Sequence, residues 1–249
     1  MRQFLIVAVC CVVLAAGGLW FVSRQDKGPE RDTGRVPATV QEKTVPPEPE
    51  KVIDYGKLKD EGDEELNALM KERKDPYGID KGIDMVVKPD ESIKVGEETV
   101  QMKEIVDEVR LKQGELLEED LKTGISDYGP AEYGVYVVQP NDNMWDIHFR
   151  LLQEYYDNKH IELSPLADEP DRLGYSSGVG KILKFSEQMV HIYNIKEHRL
   201  DTDLNLLYPL SKVVIYNMAK VFALLERIDY KDVQRIEFDG ETLWLPAEQ

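Results

Sequence analysis

YVVQPNDNMWDI, Tyr136 to Ile147, changes character at its midpoint. Tyr-Val-Val alternates into Gln139 and stops at Pro140, which removes a ladder donor and ends a short strand. Asp142 or Asn143 then caps a helix, its side-chain oxygen accepting an orphan backbone N–H. Met144, Ile147, Leu151 and Leu152 follow at i, i+3, i+7 and i+8, one helical face. The twelve residues thus predict a strand, a tight polar corner and a helix start.

This string resembles the opening of a LysM domain, a short β-α-α-β module. Tyr136, Val138, Asp142, Met144, Trp145 and Ile147 match that family in kind and spacing. Asn141 replaces the usual Gly and Asn143 the usual Thr. Asn is the non-glycine residue that best tolerates a left-handed backbone, so the first exchange is physically mild. The closing half of such a module would lie in MVHIYNIKEHRLDTDLNLLYPLSKVVIYN, residues 189–217. There Met189, Ile192 and Tyr193 sit on a helical pattern ending at Asn194. LNLLYPLSKVVIY matches the closing turn and strand, with Leu210 where Gly is expected. FDGETLWLP, residues 238–246, is a second candidate for that strand and is read instead as an added hairpin around Asp239-Gly240.

Two departures enlarge the module. Roughly thirty residues, from Tyr155 to Leu183, separate the two halves, and MAKVFALLERI adds an amphipathic helix after the closing strand. The resemblance covers about fifty of 249 residues. It implies binding of peptidoglycan or a related N-acetylhexosamine glycan. The groove would be formed by Pro140, Asn141, Asp142, Asn143 and Met144 facing Leu207, Tyr208 and Pro209. It implies binding and not catalysis, so no catalytic residue is assigned, and the residues themselves nominate no metal and no cofactor. The competing reading makes Tyr136, Trp145 and Tyr208 simple core aromatics, and for Trp145 that reading is preferred.

Composition narrows the partners. The chain carries 48 acidic and 31 basic residues, a formal charge of −17. That excess argues against nucleic acid and against docking on an anionic bilayer, both of which need a basic footprint. From Gly134 onward there are 19 acids and 12 bases, net −7, and the first 133 residues carry 29 and 19, net −10. A neutral glycan, bound through amides, hydroxyls and apolar faces, remains compatible with this charge.

The N-terminus sets the compartment. Phe4 to Val22 is nineteen residues without a charge. As a helix at ~1.5 Å per residue it spans roughly 28 Å, near the thickness of a hydrocarbon layer. A retained anchor in the cytoplasmic membrane is the preferred reading. A cleaved signal peptide ending near Ala15-Ala16-Gly17 is the alternative, and either one exports the remainder. Cys10 and Cys11 lie within this run and build no disulfide framework. Residues 23–52 are rich in Pro, Glu and Lys and read as a disordered spacer, since they cannot bury enough surface to offset their ordering entropy.

An acidic middle module is expected over 53–132. Tyr55 to Arg73 predicts one polar helix with Leu58, Leu66, Leu69 and Met70 as its stripe. DPYGIDKG breaks it, and SIKVGEETVQM predicts a hairpin at Gly96-Glu97. MKEIVDEVRLKQGELLEEDL predicts a helix interrupted at Gly114. The module is either a small α+β unit or a helical stalk. The LysM-like region is expected over 133–249, and the fold class of the whole is α+β.

Two apparent motifs fail. GYSSGVGKI lacks the first Gly of a phosphate loop, because Tyr175 stands there, and Ile182 replaces the Mg²⁺-binding Ser or Thr. It reads as a loop leading into a helix over KILKFSEQMVHIYN. His191 and His198 are seven apart with Glu187 and Glu197 nearby, but His-Glu-x-x-His is absent and no ligand trio clusters in sequence. Two function classes remain: a glycan-binding module, and an envelope scaffold in which a protein partner has replaced the sugar. A wall hydrolase ranks behind both because no catalytic set is visible. An insertion lying across the groove would favour the scaffold.

Overall fold

The computed structural model describes residues 51–60, 63–114, 131–203 and 207–247. The expected anchor, the spacer up to residue 50 and the helical continuation after Gly114 lie outside them. Strand β1 (Lys51–Asp54) begins the described chain and leads into α1 (Tyr55–Lys59), where the Asp54 side chain accepts the Gly56 N–H at 2.9 Å. Asp63 caps α2 (Glu64–Lys74) in the same way through Leu66 N. The single helix expected over 55–73 is therefore two, divided where the cap-forming Asp63 restarts it. A short 3₁₀ turn ends on Gly78 at φ 65°, as the Pro and Gly there require.

Strands β2 (Met85–Val87), β3 (Glu91–Val95) and β4 (Glu98–Gln101) follow, then α3 (Met102–Lys112). β3 and β4 form the expected hairpin, with Gly96 at φ 64° in its turn, and β1 pairs with β3 in parallel. β5 (Tyr133–Val137) enters α4 (Met144–Asn158), and α5 (Gly178–Ser186) comes next. β6 (Val190–Asn194), β7 (Arg199–Asp201), β8 (Lys212–Asn217), α6 (Met218–Glu226) and the hairpin of β9 (Glu237–Phe238) with β10 (Leu243–Trp244) complete the chain. The class is α+β.

Five strands form an antiparallel sheet in the order β2-β5-β8-β6-β7. It is buried on both faces. Tyr136, Val138, Ile192, Val214 and Tyr216 pack with α4, α5 and α6 on one side. Tyr133, Val135, Val137, Tyr193, Val213 and Ile215 alternate with them and pack against the smaller sheet and α3 on the other. Placing a boundary near residue 132 separates two strands that the structure pairs: Met85 stands opposite Val135 and Val87 opposite Tyr133. Pro47–Gln249 form one compact unit.

The second helix differs from expectation. Met189, Ile192 and Tyr193 do not share a helix: α5 ends at Ser186, Met189 closes a 3₁₀ turn over Glu187–Met189, and Val190–Asn194 is a strand between β8 and β7. The strand Val-His-Ile-Tyr-Asn is covered on both faces, so Ile192 and Tyr193 are apolar neighbours and, with Met189, also satisfy an i, i+3, i+4 pattern. The connection between α4 and α5 is accordingly 159–177, shorter than the 155–183 expected.

One buried ion pair joins the layers. The Arg73 guanidinium on α2 meets the Glu91 carboxylate at the start of β3 through two bonds of 2.6 and 2.7 Å, with side-chain exposures of 10% and 5%. Arg73 also donates to the Val86 carbonyl at 2.8 Å, and the Lys88 N–H donates to Glu91 at 3.0 Å. Burial alone would raise the Glu91 pKa, but these donors hold it below the ordinary carboxylate value.

Candidate functional site

The corner after β5 is built by Asp142. Its carboxylate accepts the Gln139 N–H at 2.7 Å, the Tyr136 hydroxyl at 2.8 Å and an Arg150 N–H at 3.2 Å. Burial, then the bond to Asp142, pushes the Tyr136 hydroxyl pKa up, so it stays a protonated donor. Asn143, rather than Asp142, is the helix cap: its Oδ1 accepts the Asp146 N–H at 2.9 Å. Asn141 takes φ 70°, the left-handed geometry expected of the residue standing in for Gly.

The second loop lies against the first. Tyr136 and Val137 of β5 stand opposite Val214 and Val213 of β8. The ladder continues past the strand ends, with the Val138 N–H donating to the Lys212 carbonyl at 3.1 Å and the Leu210 N–H donating to the Val138 carbonyl at 3.0 Å. Residues 138–143 and 207–212 therefore occupy one end of the sheet. The Tyr208 carbonyl accepts from Ser211 and Lys212, closing a turn in which Leu210 takes φ 55°. A γ-branched residue in that region carries ~1–2 kcal/mol of strain. Its side chain is half exposed all the same.

Tyr208 is seated on a charge. Lys212 is almost fully buried, ion-paired to Asp201, and its ammonium lies 4.8 Å from the Tyr208 ring centroid. Hydrogen bonding to Lys212 holds the Asp201 carboxylate below its ordinary range. One face of Tyr208 is thus held by a fixed cation, while 56% of the residue remains exposed.

Of the eight groove residues expected, Pro140, Asn141, Asn143, Tyr208 and Pro209 are exposed at this end and Asp142 is half-buried beneath them. Leu207 is half-buried against the core. Met144 does not face a groove, because its side chain is 6% exposed and packs inward with Ile147 and Leu151. Trp145 is half-buried, and its indole N–H donates to Asp168 of the 159–177 connection. That connection stays on the α4–α5 side, anchored by buried Leu163, and leaves the five exposed corner residues uncovered.

A second concavity was not anticipated. A cleft of about 1290 Å³ runs between α1, α2 and α4, with Tyr55, Lys74, Asp84, Tyr136, Gln139 and Arg150 among its lining. Gln139 joins cleft to corner, donating from Nε2 to the Tyr55 hydroxyl at 2.9 Å. Fourteen of the cleft's twenty lining residues, from Tyr55 to Asp84, belong to the middle module. Among the described residues, no group of three His, Cys, Asp or Glu side chains is placed to hold a metal, and no helix is long and apolar enough to cross a membrane. No family profile, no curated protein and no solved structure matches this chain.

Proposed function

We propose that this protein is a non-catalytic, LysM-like binder of peptidoglycan or a related N-acetylhexosamine glycan, held outside the cytoplasmic membrane by its Phe4–Val22 segment. The observation that carries the reading is the meeting of the two loops. The Val138–Lys212 and Val138–Leu210 bonds hold residues 138–143 beside 207–212, and the rim they make is exposed. The order β5-α4-α5-β8, with β5 and β8 as antiparallel neighbours, is the β-α-α-β arrangement that the resemblance implies, with β6 and β7 added between α5 and β8.

The chemistry agrees. A hexosamine offers an apolar ring face, and Tyr208 offers an aromatic face backed by the Lys212 ammonium. The sugar's acetamide and hydroxyls can meet the Asn141 and Asn143 side chains at the opposite edge. No charge on the ligand is needed.

The test is sedimentation of the chain from Pro47 onward with insoluble peptidoglycan. The expected outcome is retention at low and high salt, with Tyr208→Ala weakening it roughly tenfold, the equivalent of about 1.4 kcal/mol. Recovery of the wild type wholly in the supernatant would end the reading. A scaffold role is the second reading, favoured by Leu173 and Tyr175, which are 81% and 69% exposed on the 159–177 connection. Under it, replacing both with Ser abolishes crosslinking to an envelope protein and leaves glycan retention untouched.

A further inference from the structure

The cleft beside the corner holds two opposite charges that do not meet. Asp84 accepts the Val137 N–H at 2.7 Å through Oδ2, and its Oδ1 has no partner among the described residues. Lys74 donates to the Asp80 carbonyl at 2.7 Å and feels the Asp84, Asp80 and Glu154 carboxylates, with no direct ion pair to any of them among the described residues. Both are half-buried and held short of a direct ion pair, so a ligand carrying a cation for one and an anion for the other would complete two pairs that the cleft leaves open. The lining as a whole carries five cationic and five acidic side chains, in a protein of net −17. A polyanion or a bare cation would be opposed by half of them, whereas a ligand bearing both signs would not.

The walls are fixed in advance. Glu154 on α4 accepts the backbone N–H groups of Asp80, Lys81 and Gly82 at 2.8 to 3.0 Å. Gly82 lies so close to α4 that a Cβ there would sit 2.9 Å from the Leu151 Cα, and one on Gly78 would sit 2.5 Å from the Asn158 side chain. The Tyr55–Gln139 bond fixes the far wall to the corner loop. A site already in place spends little binding energy on ordering.

We propose that this cleft binds a short zwitterionic peptide, its ammonium group on Asp84 Oδ1 and a carboxylate on Lys74. Burial raises the Asp84 pKa and lowers that of Lys74, and the attraction each exerts on the other only partly offsets it. Gln139 and Arg150 belong to both cleft and corner, so a sugar at the rim and a peptide attached to it can be held together. The source of the peptide as the stem of peptidoglycan rests on the glycan reading above; the chemistry of the cleft does not.

The test is calorimetry on the full-length chain in detergent with three probes: chitotetraose, the free wall tetrapeptide Ala-Glu-diaminopimelate-Ala, and the disaccharide–tetrapeptide. The expected result is that the tetrapeptide binds, the joined fragment binds tighter than either part, and Asp84→Asn and Lys74→Met each weaken the tetrapeptide at least tenfold. Chitotetraose affinity stays within twofold in both variants. Asparagine retains an acceptor for Val137 N–H, and thermal melts of both variants check that the fold persists. Absence of tetrapeptide binding, or binding indifferent to both substitutions, overturns the proposal while leaving the glycan reading intact. Tetrapeptide binding that depends on Asp84, without any chitotetraose binding, supports the cleft and removes the glycan reading.

Discussion

Stability should fall as the solution is acidified from pH 7.5 to 5, and one side chain should account for much of the fall. His148 lies on α4 with 4% exposure, and burial lowers its pKa from 6.5 to about 4. Ser186 spends its single hydroxyl hydrogen on the Leu183 carbonyl at 2.7 Å, so Oγ receives the His148 Nδ1–H at 2.5 Å. Nε2 is left as a buried lone pair with no partner among the described residues. A base whose pKa is depressed on folding binds its proton more readily in the unfolded chain. The neutral ring therefore contributes its full stability above pH 6.5, and this is lost as pH falls toward about 4. Complete loss amounts to about 3 kcal/mol at 1.36 kcal/mol per unit, of which about 2 kcal/mol falls between pH 7.5 and 5. Most carboxylates are still ionised in that window. His148→Phe removes the titration, a cavity of about 30 Å³ beside the ring accommodates the change, and Ser186 keeps its bond to Leu183. Urea denaturation of both proteins at pH 7.5, 6.5, 5.8 and 5.0 gives the difference directly. His191 is shifted the same way by burial and by Lys112 and Lys220, but its half-exposed ring is screened and its contribution is present in both proteins. A wild-type minus variant difference that stays constant across the series would refute the reasoning.

Glu91→Gln should lower the urea midpoint by an amount equivalent to about 3 kcal/mol, because it leaves the Arg73 guanidinium buried without its counter-charge. Gly178→Ala should cost about 2–3 kcal/mol in the same assay, since its Cβ would stand 1.8 Å from the Val233 carbonyl oxygen. Leu210→Asn should raise the thermal midpoint by the equivalent of about 0.5–1 kcal/mol, as Asn accepts the left-handed backbone at φ 55° more readily than Leu does. A fall in the midpoint would show that the Leu210 side chain contributes more than its exposure suggests.

What could be read in advance was local. The corner at 140–143, a cap at Asp142 or Asn143, the hairpin at Gly96 and the helix after Asn217 each depend on neighbours within a few residues, where turn and capping chemistry is explicit. Val190–Asn194 was misread because burial on both faces erases the period that separates strand from helix. Arg73 and Glu91, Glu154 and the Asp80–Gly82 backbone, and Tyr55 and Gln139 are separated by 18 to 84 positions. Nothing in spacing pairs them. For the same reason the rim was anticipated and the cleft was not: one wall of the cleft belongs to a segment that reads as mere charged helix. The Gly178 contact with Val233 was equally invisible, and the stretch drew notice only for its failed likeness to a phosphate loop.

Strand β1 opens the described chain, and it is an edge: it pairs with β3 alone, over four residues, with Ile53 as its buried side chain. Any pull on the described chain from its N-terminal side enters the domain there first. Detaching β1 would strip the Lys94 partner from Asp54 and the support beneath Tyr55, which forms one wall of the cleft. If the cleft and the rim bind as proposed, load would disturb the cleft before it reached the rim, and a taut molecule would release a two-part ligand in sequence.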